Sequence, residues 1–363
     1  MHSASRLACV LALLLLATTS ISCTARSGNS PSGGSKPQLK LQGAGASFPA
    51  PLYIKWFKAY TAAHPGVQID YQSVGSGNGV KSVIEKTVDF GASDAAMTEN
   101  EMGQVDVGVQ LLPMTAGSIV LAYNLEGVDN LQLSRKAYVD IFLGKITKWN
   151  DPEIAKTNEG AKLPDSNINV VVRADSSGTT FVFTKHLAAI SEEFAASPGV
   201  NKAPNWPVGT KSKGNEGVAS SLDQTPGSIG YIEYGYAVGV KLKMARLENK
   251  AGKIIEPTIA SAQSALASVD MPDDLVAWIP DPAGDASYPI VTYTWIMAYK
   301  KYESEDHAAA LKDVLTYCLT EGQTQSESLG YVPLPAAVVD KVKAALGNIG
   351  SAPPADKSDK KST

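Results

Sequence analysis

Residues 173–179 read Arg173-Ala174-Asp175-Ser176-Ser177-Gly178-Thr179, and the flanks of this stretch decide how the chain folds. Upstream, residues 168–172 form a short β-branched apolar run, which predicts a strand. Downstream, residues 178–190 predict a helix. The same arrangement, a Gly- and Ser-rich turn between strand and helix, recurs at Gly43-Ala44-Gly45-Ala46-Ser47-Phe48, at Gly75-Ser76-Gly77-Asn78-Gly79 and at Gly91-Ala92-Ser93-Asp94. Around these turns the pattern alternates. Strands are expected at 39–41, 67–71, 88–92, 168–172 and 290–299, and helices at 51–63, 80–88, 178–190 and 303–319. In residues 51–63, Leu52, Trp56, Phe57 and Tyr60 mark one helical face. The fold class is therefore α/β. No internal repeat is visible, which excludes solenoids and propellers.

Turns of this kind have a specific chemistry. In open α/β sheets, ligands bind beyond the carboxyl ends of the strands. Helix N-termini there offer unpaired N–H groups and a partial positive charge, a ready site for an anion. Gly lets the backbone come close, and Ser and Thr hydroxyls add donors. One such turn is common in any α/β protein. Four, with one Arg and one Asp among them, fit an oxyanion held by many neutral donors. Residues 75–79 are not a nucleotide P-loop, because no Gly-Lys-Ser/Thr follows, and 43–48 lacks a Gly-x-Gly-x-x-Gly.

Composition narrows the classes. The 363 residues are about two domains' worth. With 44% hydrophobic and 19% charged residues, the chain can build cores and is not disordered throughout. Lys+Arg total 32 against 36 Asp+Glu, a net charge of -4, which argues against nucleic acid as a partner. Three Cys and four His leave little material for disulfide scaffolds or metal centres, so neither a metal nor another cofactor is expected. The five Trp are expected in packing roles, and Cys318, among Val314, Leu315 and Leu319, as a buried small hydrophobe.

The ends carry different signals. Residues 1–22 have Arg6 ahead of the apolar run 7–17, too short to span a bilayer, and are expected to be a signal peptide. The segment Thr18-Thr19-Ser20-Ile21-Ser22-Cys23 resembles a bacterial lipoprotein cleavage site, which makes Cys23 the expected lipidation residue, although Ser20 stands where an aliphatic residue is usual. Residues 23–38, rich in Ser, Gly and Pro, would then be a flexible tether, and 349–363 a disordered tail. The chain is expected to be exported, periplasmic or at the cell surface, and lipid-anchored.

Six segments together, GAGASFPAPLYIKW, YQSVGSGNGVKS, TVDFGASDA, LGKITKW, RADSSGTTFVFT and PGSIGYIEYGYA, closely resemble the periplasmic phosphate-binding proteins of the bacterial high-affinity phosphate uptake system. The resemblance runs from about Leu41 to about Leu346 with the motifs in family order. It implies a two-lobed periplasmic-binding-protein-like fold (type II) with the ligand in the inter-lobe cleft. It also implies delivery of inorganic phosphate to membrane ABC permease subunits served by a separate ATPase, and a monomer. With the strand pattern, it places lobe 1 at 39–114 plus 291–348 and lobe 2 at 115–290, with crossings near 113–117 and 288–293. The phosphate-binding positions it implies are Ser47, Phe48, Ser76, Asp94, Arg173, Ser177, Gly178 and Thr179, with Asp175 supporting Arg173. Ser47 replaces the Thr of relatives and keeps the hydroxyl, while Gly77-Asn78 departs from their Ser-Gly.

Two rival readings compete with this one. A phosphatase using Ser177 or Ser76 would need an adjacent base or metal. His64, His186 and His307 lie outside the four turns, no Gly-x-Ser-x-Gly or His-Glu-x-x-His occurs, and no catalytic residue is assigned. A binding protein for sulfate or another fully deprotonated oxyanion would set Asp94, an acceptor only, against lone pairs alone, whereas phosphate still carries a proton to give.

Overall fold

The computed structural model describes residues 39–351. The expected signal peptide 1–22, the tether 23–38 with Cys23, and residues 352–363 lie outside the described residues. Residues 349–351 belong to the folded body, a correction to the expected tail. Ile349 is buried, and Gly350–Ser351 pairs in parallel with Lys301–Tyr302.

A nine-stranded sheet organises the molecule. Its strands are β1 (Leu39–Gly45), β2 (Val67–Ser73), β3 (Phe90–Ser93), β4 (Val109–Asn124), β5 (Asn169–Arg173), β6 (Thr210–Ser212), β7 (Ser228–Glu233), β8 (Lys243–Met244) and β9 (Val291–Tyr299). The order is β2-β1-β3-β9-β4-β7-β5-β6, with β8 also paired to β4. The flanks are parallel: β1 with β2 and β3, β5 with β6 and β7. Parallel neighbours need crossover connections, which the helices supply. The first flank uses α1 (Ala50–Ala63) and α2 (Ser76–Ile84), and the second uses α3 (Gly178–Ile190) and α4 (Gly214–Gln224). Further along lie α5 (Tyr234–Gly239) and α6 (Glu305–Leu319).

The middle of the sheet is antiparallel and joins the two flanks. β4 pairs with β9 from Val109 to Ser118 and with β7 from Ile119 to Asn124, so the strand passes from one partner to the other at Ser118–Ile119. Periodicity does not announce β4. It is buried along nearly its whole length, so it shows no alternation, and it contains Pro113 and Gly117. Pro113 donates no hydrogen bond, and the ladder with β9 slips there: Thr294 faces Thr115, while Trp295 faces Pro113. The irregularity lies beside Thr294.

Helix α3 begins and ends where the sequence places it. Helix α2 does not: it starts at Ser76 rather than 80 and ends at Ile84 rather than 88. Gly77 and Gly79 are poor helix formers on their own. Packing decides instead, since a Cβ on Gly79 would lie 2.6 Å from the Ala92 carbonyl oxygen and 2.7 Å from Gly45 Cα. The core takes in Trp56, Trp149, Trp295 and Cys318, all fully buried, as expected of them. Among the described residues, no helix is long and apolar enough to cross a membrane.

Candidate functional site

The four turns converge at the carboxyl ends of strands from both flanks of the sheet. Ser47 and Phe48 follow β1, Ser76 opens α2 after β2, and Asp94 follows β3 directly. From the other flank, Arg173 ends β5 and Ser177 caps α3. Gly178 and Thr179 form the first turn of that helix. The polar members among these residues are almost completely buried, Asp94 to 1% exposure and Arg173 to 4%.

Hydrogen bonds knit the flanks together. The Thr179 hydroxyl donates to Asp94 Oδ2 (3.3 Å), and the Asp94 main-chain N–H donates to the Ser76 hydroxyl (3.2 Å). The Gly77 N–H donates to the Ser176 carbonyl (2.9 Å). Gly178 sits so close to the opposite flank that a Cβ there would overlap the Ser76 hydroxyl and come within 2.8 Å of the Asp94 main-chain N. The Ser177 hydroxyl accepts the Thr180 N–H (3.1 Å) and the Ser177 carbonyl that of Phe181 (3.0 Å). The first N–H groups of α3, those of Gly178 and Thr179, have no intrahelical acceptor. The Phe48 ring is buried, and its carbonyl accepts the Tyr331 hydroxyl (2.7 Å).

Charge is distributed unevenly. Arg173 makes a two-pronged pair with Asp175, Nε to Oδ1 at 2.9 Å and Nη2 to Oδ2 at 2.5 Å, and reaches Thr179 through Nη1 at 3.3 Å. Asp175 also accepts the Gly214 N–H (3.0 Å). Burial alone would raise the Asp175 carboxyl, but the hydrogen bonds and charge of Arg173 hold it below its ordinary value. Asp94 has no such fork. Burial pushes its carboxyl up to about 6, against the Thr294 hydrogen bond, the charge of Arg173 and the Thr179 hydroxyl. The site thus combines an already paired cation, a ring of hydroxyl and amide donors, and one carboxylate acceptor that ionises near neutral pH. That set suits a tetrahedral oxyanion that still carries a proton, because a carboxylate can accept that proton in a hydrogen bond.

Sequence reasoning missed several partners. Thr294, inside β9, donates to Asp94 Oδ1 at 2.9 Å, and a Thr in mid-strand gives no local signal. Tyr231 accepts the Arg173 N–H (3.1 Å) and shares a hydrogen bond with Thr180 (2.7 Å). Asn215, in the first turn of α4, donates to the Ser47 hydroxyl. Gly214-Asn215 follows a strand by the same rule as the other turns, but β6 is only three residues long and too short to show a period.

Known proteins with this architecture agree on its family. A PBP superfamily domain model matches residues 30–321. The phosphate-binding protein PstS of Pasteurella multocida is 41% identical over 310 residues, 84% of this chain and 89% of the relative. PstS of Methanocaldococcus jannaschii is 39% identical over 361 residues, 92% of each. Among solved structures, a high affinity periplasmic phosphate-binding protein (PfluDING) bound with phosphate superposes with a TM-score of 0.71 at 21% identity, covering 86% of this chain and all (100%) of that one. At that identity the superposition speaks for the two-lobed fold alone. The chain belongs to the PstS family of phosphate-binding proteins, within the PBP superfamily.

Proposed function

We propose that this protein binds inorganic phosphate in the cleft between two hinged lobes and delivers it to membrane ABC permease subunits powered by a separate ATPase. The lobes are 39–114 with 291–348 and 115–290, and they close around the ligand as a hinge. Ser47, Phe48, Ser76, Asp94, Arg173, Ser177, Gly178 and Thr179 hold the anion, and Asp175 orients Arg173. The protein acts as an exported monomer, tethered to the membrane surface through a lipidated Cys23, and it carries out no reaction on the ion.

The buried Asp94 carboxylate carries this reading. With Thr294 and Thr179 supplying hydroxyls, it is a carboxylate acceptor not bound to a cation, set among donors. Phosphate meets it with a P–O–H, whereas sulfate meets it with lone pairs only. Leaving a buried acceptor unmet costs roughly 1–3 kcal/mol, more when it is charged. Isothermal titration with phosphate, arsenate and sulfate, at a pH well above and a pH well below about 6, tests this. Above that value phosphate and arsenate bind and sulfate does not. Below it Asp94 is protonated and can donate, so the gap to sulfate narrows. Equal binding of sulfate and phosphate at the higher pH would sink the proposal.

A further inference from the structure

The Ser47 hydroxyl has two lone pairs and one proton. Both lone pairs face Asn215: its main-chain N–H lies 3.1 Å from Ser47 Oγ and its side-chain Nδ2 lies 2.9 Å away. The orientation of that amide is dictated, since Asn215 Oδ1 accepts the main-chain N–H of Glu233 at 3.0 Å. An N–H can only donate, so the oxygen of the amide faces Glu233 and the nitrogen faces Ser47. Glu233 ends β7, opposite Ile119, where β4 changes partner, so the sheet itself fixes the donor. Asn215 is fully buried, and its Nδ2 also approaches the Thr179 hydroxyl at 3.4 Å, beside Arg173 Nη1 at 3.3 Å.

We propose that Asn215 is a positioning residue that fixes the direction of the Ser47 hydroxyl, so that Ser47 meets the anion with its proton rather than a lone pair. The proposal rests on the phosphate-binding reading above. A hydroxyl free to rotate could turn a lone pair toward the ligand, which would repel it. With both acceptor positions filled by Asn215, the Ser47 proton has only the site to point into. Ser47 comes from the β1 flank and Asn215 from the other, so the hydroxyl is fixed as a donor only when the two flanks meet. Closure and donor orientation are then one event.

A double-mutant cycle on phosphate affinity, read by titration calorimetry, tests this with wild type, Ser47→Ala, Asn215→Asp and the double variant. Asp keeps an oxygen for the Glu233 N–H but offers Ser47 an acceptor in place of a donor, so the hydroxyl turns away from the anion. Ser47→Ala alone should weaken binding about tenfold or more. Asn215→Asp also weakens binding, in part through its own charge, and for that reason the cycle and not the single loss is decisive. In the Asn215→Asp background, Ser47→Ala should cost less than about twofold. A full additive loss would overturn the proposal, as would a neutral Ser47→Ala in the wild-type background. Asn215→Ala, which frees one lone pair, repeats the cycle should the Asp variant fail to show the native circular-dichroism spectrum; there too the Ser47→Ala penalty should shrink. Failure of the wild type to bind phosphate would instead count against the functional reading.

Discussion

Asp94 and Asp175 stand at the ends of strands in opposite flanks of one sheet, with both carboxylates largely removed from solvent, yet their pKa values shift in opposite directions. Asp175 is gripped by the Arg173 fork and by the Gly214 N–H, and it stays charged well into acid. Asp94 has only hydroxyl partners in direct contact, and burial pushes it up to about 6. The same strand-turn-helix arrangement therefore yields a finished ion pair on one side and a poised acceptor on the other. The ion pair presents Arg173 with its charge already balanced, so a bound anion is held largely by neutral donors and helix ends. On the proposed reading the acceptor does the discriminating, and charge neutrality and selectivity are separated between the two flanks.

The comparison breaks hardest at the ion pair. Arg173→Met leaves Asp175 buried without its counter-charge, and removing one partner of a buried pair costs about 3–5 kcal/mol. Thermal denaturation should show a large loss of stability, and phosphate titration a loss of more than about a hundredfold in affinity. Adding Asp175→Asn to Arg173→Met should recover much of the stability and none of the affinity. If the double variant regained phosphate binding, Arg173 would be a structural residue only.

Asp94→Asn acts on the other side. It removes the acceptor for the phosphate proton, so the preference for phosphate over sulfate should fall by about ten- to a hundredfold in competitive titration. It also changes how stability depends on pH. The folded Asp94 holds its proton up to about 6, above its ordinary value of 3.8, so between these values the folded state binds more protons than the unfolded one. Stability contributed by this group is complete below the lower value and is lost as pH rises through the upper one. The difference between wild type and Asp94→Asn should therefore shift by roughly 3 kcal/mol across that window, in favour of the variant at higher pH. A wild-type-minus-variant difference that stays flat from acid to neutral pH would mean that Asp94 is not held in the dry environment described.

How much of this the sequence shows depends on the range of the interaction. Helix α3 and its cap are local: Gly178 and Ser177 with the apolar run behind them are readable in a window of a dozen residues. The turn that became the start of α2 is not, because its glycines form helix only where Gly45 and Ala92 demand close approach. The long strand β4, buried and interrupted by Pro113, lacks the alternation by which strands are recognised. Within the site, the residues that offer groups to an anion lie in turns with a recognisable composition. Those that hold them in place, Asn215, Thr294 and Tyr231, are single side chains brought in from distant segments: 294 is 200 positions from Asp94. Composition cannot reveal which Asn or Thr among many is aimed at a carboxylate.

The smallest effect is expected at the rim, where the flanks meet again through Lys202 and Glu101. Glu101 is held by its own capping box, Oε2 accepting the Thr98 N–H at 2.8 Å and the Thr98 hydroxyl at 3.1 Å. This leaves Oε1 to receive Lys202 Nζ at 3.1 Å. The Lys202 carbonyl in turn accepts the Ser177 N–H (2.9 Å), so the pair is fastened to the segment that caps α3. Both side chains are partly exposed, and such pairs contribute no more than about 1 kcal/mol. Lys202→Met should weaken phosphate binding by about fivefold at most, and the difference from wild type should vanish as salt screens the pair. The backbone carbonyl survives the substitution, so Ser177 stays in place. A salt-independent loss as large as that of Arg173→Met would show that Lys202 reaches the anion itself, and that the cleft carries a second cation with no partner on its own flank.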